Sequence, residues 1–176
     1  MKSQPNNQRQ IRVFSLNTAP ASARGDIDLV NARLLSELQL DPRLTMAELG
    51  RRIGMSSPAA TERVHRLEEL GVIRGYRLDM DPAALGLPVA AYVRIRPNPG
   101  QLSKIAELAR QIEEVVECHR VTGEDCFVLK VHMPSIDQLD RLLDLFLAHG
   151  STTTSIIQSS PVPLRSLPIP EGNGAE

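Results

Sequence analysis

Tryptophan is missing from these 176 residues, and Phe and Tyr together make only 3% of them. A core of ordinary density must then be aliphatic, and the 41% hydrophobic content is enough for one. Cysteine is almost missing too. Cys118 and Cys126 make no disulfide framework and no Cys-x-x-Cys metal pair, so reduced thiols and no metal are expected, as in the cytoplasm. No apolar run approaches the ~18–20 residues of a membrane span. The opening stretch MKSQPNNQRQIRVFSLNTAP lacks the apolar segment of ~7–15 residues that marks a secretory signal. No membrane contact and a cytoplasmic location are therefore expected. There is no glycine-rich phosphate loop and no Gly-x-Ser-x-Gly, and no carboxylate is spaced to join His119 and His132 in a catalytic or metal set. Neither an enzyme nor a cofactor is expected. A nearby carboxylate disfavours the thiolate, which argues against Cys126, beside Asp125, as a nucleophile.

Net charge of one sign is also lacking, at −1 overall, but the distribution is uneven. Residues 1–78 carry 12 Lys and Arg against 8 Asp and Glu, net +4, and the remainder carry 8 against 13, net −5. A basic half joined to an acidic half suggests that only the first meets a polyanion. A typical domain has about 100–150 residues, so the chain suits one large or two small domains.

What is present reads as five segments. Residues 1–25 form an aperiodic arm whose Arg9, Arg12 and Arg24 either touch phosphates or belong to an extension without a role. Residues 26–80 carry three helical patterns. Leu29, Ala32, Leu35 and Leu38 share a face after the N-cap candidate Asp28, and Asp41-Pro42 ends that helix. Thr45-Met46-Ala47-Glu48 reads as a capping box, and Gly54 stops the second helix. The third starts at Ser57-Pro58, with Ser57 as cap and Ala60, Val64 and Leu67 inward. Val72–Leu78 reads as a short hairpin turning at Gly75. Residues 81–88 form a linker. Residues 89–162 change period: a strand over 89–96, a helix over 101–112, strands over 115–122 and 127–132, a helix over 135–148 with Ile136 inward, and a last strand over 155–160. That order is the ferredoxin-like βαββαβ unit, whose helices leave one sheet face for a second copy to cover. Residues 163–176 form a flexible, Pro-rich tail. The fold class is α+β.

A capped helix, a glycine turn and a second capped helix make a helix-turn-helix. The leading end of its second helix would face base edges in a major groove about 12 Å wide. The candidates for DNA contact are Ser56, Ser57, Ala59, Thr61, Glu62, Arg63, His65 and Arg66, with Arg52 and Arg74 flanking. A plain helical bundle with solvated arginines fits the same periodicity. In the second half, the turn Thr122-Gly123-Glu124-Asp125-Cys126 and the run Thr152-Thr153-Thr154 gather donors and acceptors suited to a small polar ligand. They also fit a tight turn and a Thr-rich strand entrance. Glu113, Glu114 and Glu117 read as a solvated surface.

Several of these segments agree in order and spacing with one family. Ile27-Asp28, Ala47-Glu48-Leu49, Gly54-Met55-Ser56, Arg63-Val64, Arg66-Leu67-Glu68 and Gly71–Tyr76 resemble the N-terminal pattern of the Lrp/AsnC family of feast/famine regulators. Cys118–Asp125 resembles the hairpin of that family's effector domain. The resemblance spans about residues 26–164. It implies a winged helix-turn-helix on a βαββαβ effector and dimerisation domain. It further implies a cytoplasmic transcription regulator that binds double-stranded DNA, a homodimer extending to octamers in the family, and an amino acid or related small metabolite bound between subunits. Two positions depart from the pattern. Asn31 stands where the family has a second Asp in the first helix, and Glu124 and Cys126 stand in a hairpin that usually reads Gly-Asp-x-Asp. A nucleoid-architectural protein that wraps DNA with little sequence preference is the alternative.

Overall fold

In the computed structural model, residues 27–171 are described, and the arm expected over residues 1–25 lies outside them. The chain divides into two compact units. The first runs to Arg77 and takes in the segment from Arg165 onward; the second is Leu78–Leu164.

The first unit holds α1 (Leu29–Leu40), α2 (Met46–Ile53) and α3 (Ser57–Glu69). Asp28 caps α1 through the Asn31 amide. Thr45 caps α2 through the Glu48 amide. The return half of the expected box is not made, because the Glu48 carboxylate turns to Arg51 and Arg52. The cap of α3 is Ser56, one residue earlier than expected, and Ser57 is the first helical residue. Leu34, Leu38, Leu49, Ile53, Ala60, Val64 and Leu67 make one aliphatic core. Full burial of each large side chain is worth roughly 1.5–3 kcal/mol against exposure. Leu29, expected inward, is exposed.

Residues 72–78 form no strand pair, contrary to the expected hairpin. Ile73 donates to the Leu67 carbonyl at 3.1 Å, which ties the segment to the end of α3, and exposed residues follow from Arg74. An isolated two-stranded ribbon is marginal in water, and Val72 and Ile73 instead pack against the helical core. Segment 81–88, expected as a linker, is a cluster of turns counted with the second unit: the Leu87 amide reaches the Pro82 carbonyl at 2.8 Å. In the tail, the Gln39 side-chain amide donates to the Leu167 carbonyl at 3.0 Å.

The second unit runs β1 (Val89–Pro97), α4 (Leu102–Gln111), β2 (Val115–Arg120), β3 (Phe127–Met133), α5 (Ile136–Leu147), β4 (Gly150–Ile156). The sheet is antiparallel in the order β2-β3-β1-β4. Ala91, Val93, Ile95, Leu129 and Val131 face the helices and meet Ile105, Leu139, Leu142 and Phe146 in a second core. Two expectations shift. Ile136 is exposed at the first turn of α5, and β4 begins at Gly150 rather than at Ser155. Threonine is β-branched and suits a pleated edge, so the Thr run is strand and not its approach.

Candidate nucleic-acid interface and effector hairpin

The turn between α2 and α3 depends on two glycines. Gly54 sits at φ 77°, the left-handed region where glycine is unstrained. Gly50, inside α2, lets the turn come close: a Cβ there would lie 2.7 Å from the Met55 carbonyl oxygen. The Met55 amide donates back to the Gly50 carbonyl at 2.8 Å. These contacts fix where α3 starts.

At that start Ser56 is exposed, and its hydroxyl accepts from the Ala59 amide. Pro58 is exposed, and Ser57 and Ala59 are half-buried. Glu62, His65 and Arg66 are exposed along the helix. The Arg66 guanidinium stands 3.6 Å from Glu69, with both side chains largely in solvent. The remaining candidates are more committed. The Thr61 hydroxyl donates to the Ser57 carbonyl at 2.9 Å and lines a hollow with Leu38, Met46 and Tyr76. Arg63 donates to Asp28 and Asn31 on α1. Arg52 bonds Glu37 at 3.0 Å and Glu48 at 3.1 Å. Hydrogen bonds from Arg51 and then Arg52 hold the Glu48 carboxyl below its ordinary range. Arg74 is exposed in the segment after α3. Tyr76 donates to Glu68; burial, then the Glu68 charge, push its phenol up.

In the second unit the β2–β3 turn closes through the Val121 amide on the Cys126 carbonyl at 2.8 Å, with Gly123 at φ 109°. Thr122, Gly123 and Glu124 are exposed, and Asp125 and Cys126 are half-buried. The Cys126 thiol donates to the Gly123 carbonyl at 3.6 Å. Two arginines complete this corner, and the sequence reading did not single them out. Arg96 bonds Glu124 and stands 3.6 Å from Asp125, and Arg94 is 4.0 Å from Asp125. Alternation with the buried Val93 and Ile95 puts both on one face of β1, and strand pairing sets what lies beside them.

The Thr run is divided by the pleat. Thr153 lies opposite Arg94 on the open face, whereas Thr152 and Thr154 lie opposite the buried Ile95 and Val93 and turn toward the helices. The open face otherwise carries Tyr92, Val128, Lys130, His132, Glu117 and His119. Burial and then the Lys130 charge lower the His132 pKa, against Leu87 and Glu117. Among the described residues no group of His, Cys, Asp and Glu is placed to hold a metal ion, and no helix is long and apolar enough to cross a membrane.

Residues 28–74 match a winged helix-turn-helix DNA-binding family, and residues 90–167 match the Lrp/AsnC ligand binding domain. The chain is 39% identical over 134 residues to the uncharacterized HTH-type transcriptional regulator YezC of Bacillus subtilis, covering 76% of this chain and 95% of that one. Among solved structures, LrpC of B. subtilis superposes with a TM-score of 0.72 at 32% identity, over 76% of this chain and 95% of that one. The feast or famine regulatory protein of Mycobacterium tuberculosis complexed with L-methionine gives 0.75 at 36% identity, over 82% and 99%. The relatives and the two matched domains agree with the observed α2–turn–α3 and βαββαβ units: this chain belongs to the Lrp/AsnC family of helix-turn-helix transcriptional regulators.

Proposed function

We propose that α3 enters the major groove of specific DNA sites, with Ser56, Ser57, Ala59, Glu62, His65 and Arg66 toward base edges and phosphates. Arg52 and Arg74 flank the groove, and Thr61 supports the backbone from behind. The observation that carries this reading is the start of α3, where Ser56, its cap, and Pro58 are exposed and are followed one to three turns on by exposed Glu62, His65 and Arg66. The helix N-terminus favours phosphate, and small side chains let the backbone come near. One reading head makes few contacts, so affinity comes from a homodimer whose heads lie about one DNA turn, ~34 Å, or multiples apart. The second unit supplies that dimer through its open sheet face. It also holds an amino acid or related small metabolite near the Thr122–Cys126 turn at the subunit interface. The L-methionine complex of the M. tuberculosis relative supports the ligand class. The protein acts on DNA in the cytoplasm.

Arg66→Ala is the test. Gel shifts on a duplex selected by the wild-type protein should weaken about tenfold, with the salt slope reduced by about 0.9 for one lost phosphate contact. Size-exclusion profiles should stay unchanged. Undiminished affinity removes Arg66 from the reading face.

A further inference from the structure

The flank of α3 that faces α1 carries a strut. Asp28 uses both carboxylate oxygens: Oδ1 accepts the Asn31 amide at 2.6 Å and caps α1, while Oδ2 accepts Arg63 Nη1 at 2.8 Å. The same Arg63 nitrogen donates to Asn31 Oδ1 at 2.9 Å. A guanidinium from the middle of α3 thus grips the first turn of α1 at two points.

The anchor is a fixed one. A carboxylate at a helix N-terminus is favoured by the aligned peptide dipoles and held by the amides it caps. Burial pulls the Asp28 pKa up, but the Asn31 amide and Arg63 outweigh this and leave it below the ordinary carboxylate range. Arg63 is only 33% exposed, against 63% for Arg66 one turn on. Helices α1 and α3 each pack mainly against α2. Side chains therefore set the angle between them.

We propose that Arg63 is a positioning residue rather than a DNA contact: its bonds to Asp28 and Asn31 fix the tilt of α3 and thereby sequence discrimination. This rests on α3 being the reading helix. Base-edge hydrogen bonds tolerate about 0.5 Å of misplacement, whereas phosphate contacts from long flexible side chains adapt to more. Loss of the strut therefore lowers affinity for the specific site and spares random DNA. Glu62 and Arg66 line the groove beside the strut with Met55 and Ala59, so a tilt of α3 moves the candidate reading side chains directly.

The experiment uses the full chain, a duplex selected from random DNA by the wild-type protein, and a random duplex, each across a salt series. Arg63→Ala and Asp28→Ser should each lower the ratio of specific to random affinity about tenfold, a loss within the range of one mismatched base pair. Serine still caps a helix, so Asp28→Ser removes the ion pair and keeps α1. The double variant should lose no more than Arg63→Ala alone, because removing Arg63 already removes its bond to Asp28. Arg63→Lys, which keeps a cation within reach of Asp28, should recover part of the ratio. The slope of log affinity against log salt should not change. A slope reduced by about 0.9 in Arg63→Ala makes it a phosphate contact and overturns the strut. An undiminished ratio in Asp28→Ser overturns it as well. A wild-type ratio near 1 overturns the site-specific reading beneath it, and the strut with it.

Discussion

Thr154 is on the helix-facing side of an edge strand, and its hydroxyl is buried with no hydrogen-bond partner. A desolvated hydroxyl costs what its missing bond would return. Thr154→Val keeps the shape and removes the polar atom, so unfolding should become about 1 kcal/mol harder in a denaturant titration. A destabilised variant would mean that the hydroxyl is satisfied in solution. At this scale the sequence was most ambiguous. Ser56 and Ser57 are both good caps, and only the backbone angle at Ser56, φ −69° and ψ 152°, chooses between them. Arg63 and Arg66 are three apart on one helix and both read as cations near an exposed face. Asp28, 35 positions earlier, separates their roles, and helical periodicity carries no information about such a partner.

Helix α2 illustrates what an element owes to its neighbour. Gly50 is a poor helix former in mid-helix, costing about 1 kcal/mol against alanine. It stands there because the Met55 carbonyl leaves no room for a Cβ. Gly50→Ala should gain the propensity and lose more to the clash with backbone, which cannot rotate away, for a net loss of about 1–2 kcal/mol. A thermal melt should show a lower midpoint, and a raised midpoint would mean that the turn yields. Strand β4 follows the same logic. Gly150 meets the Arg96 carbonyl where a Cβ would stand, so the strand starts with a close approach and runs through the threonines. A glycine followed by hydroxyl residues reads locally as a loop, and only pairing with β1 makes it a strand. The segment after α3 went the other way: its local signal suggested a hairpin, but Val72 and Ile73 pack on the three-helix core and no strand pair forms over 72–78.

At the scale of the molecule, the covered sheet face is aliphatic and the open one mixes Tyr92, Val128 and charged groups. If that face joins two copies, Tyr92→Arg sets like charges together across the seam, with Arg94 close by on the same strand. Sedimentation should then show monomer. Any melting-point rise that an amino acid or keto acid gives the wild type, expected at several degrees for concentrations ~100-fold above Kd, should vanish with it. A dimer that survives moves the interface elsewhere. The family, the three helices, the βαββαβ order and the basic and acidic halves were legible in the sequence, because periodicity, caps and glycine turns are local properties of the chain. The pairing of Arg63 with Asp28, the arginines beside Glu124 and Asp125, the split of the Thr run between two faces and the start of β4 were decided by tertiary structure alone. Each depends on which distant backbone arrives alongside, and no local pattern encodes that.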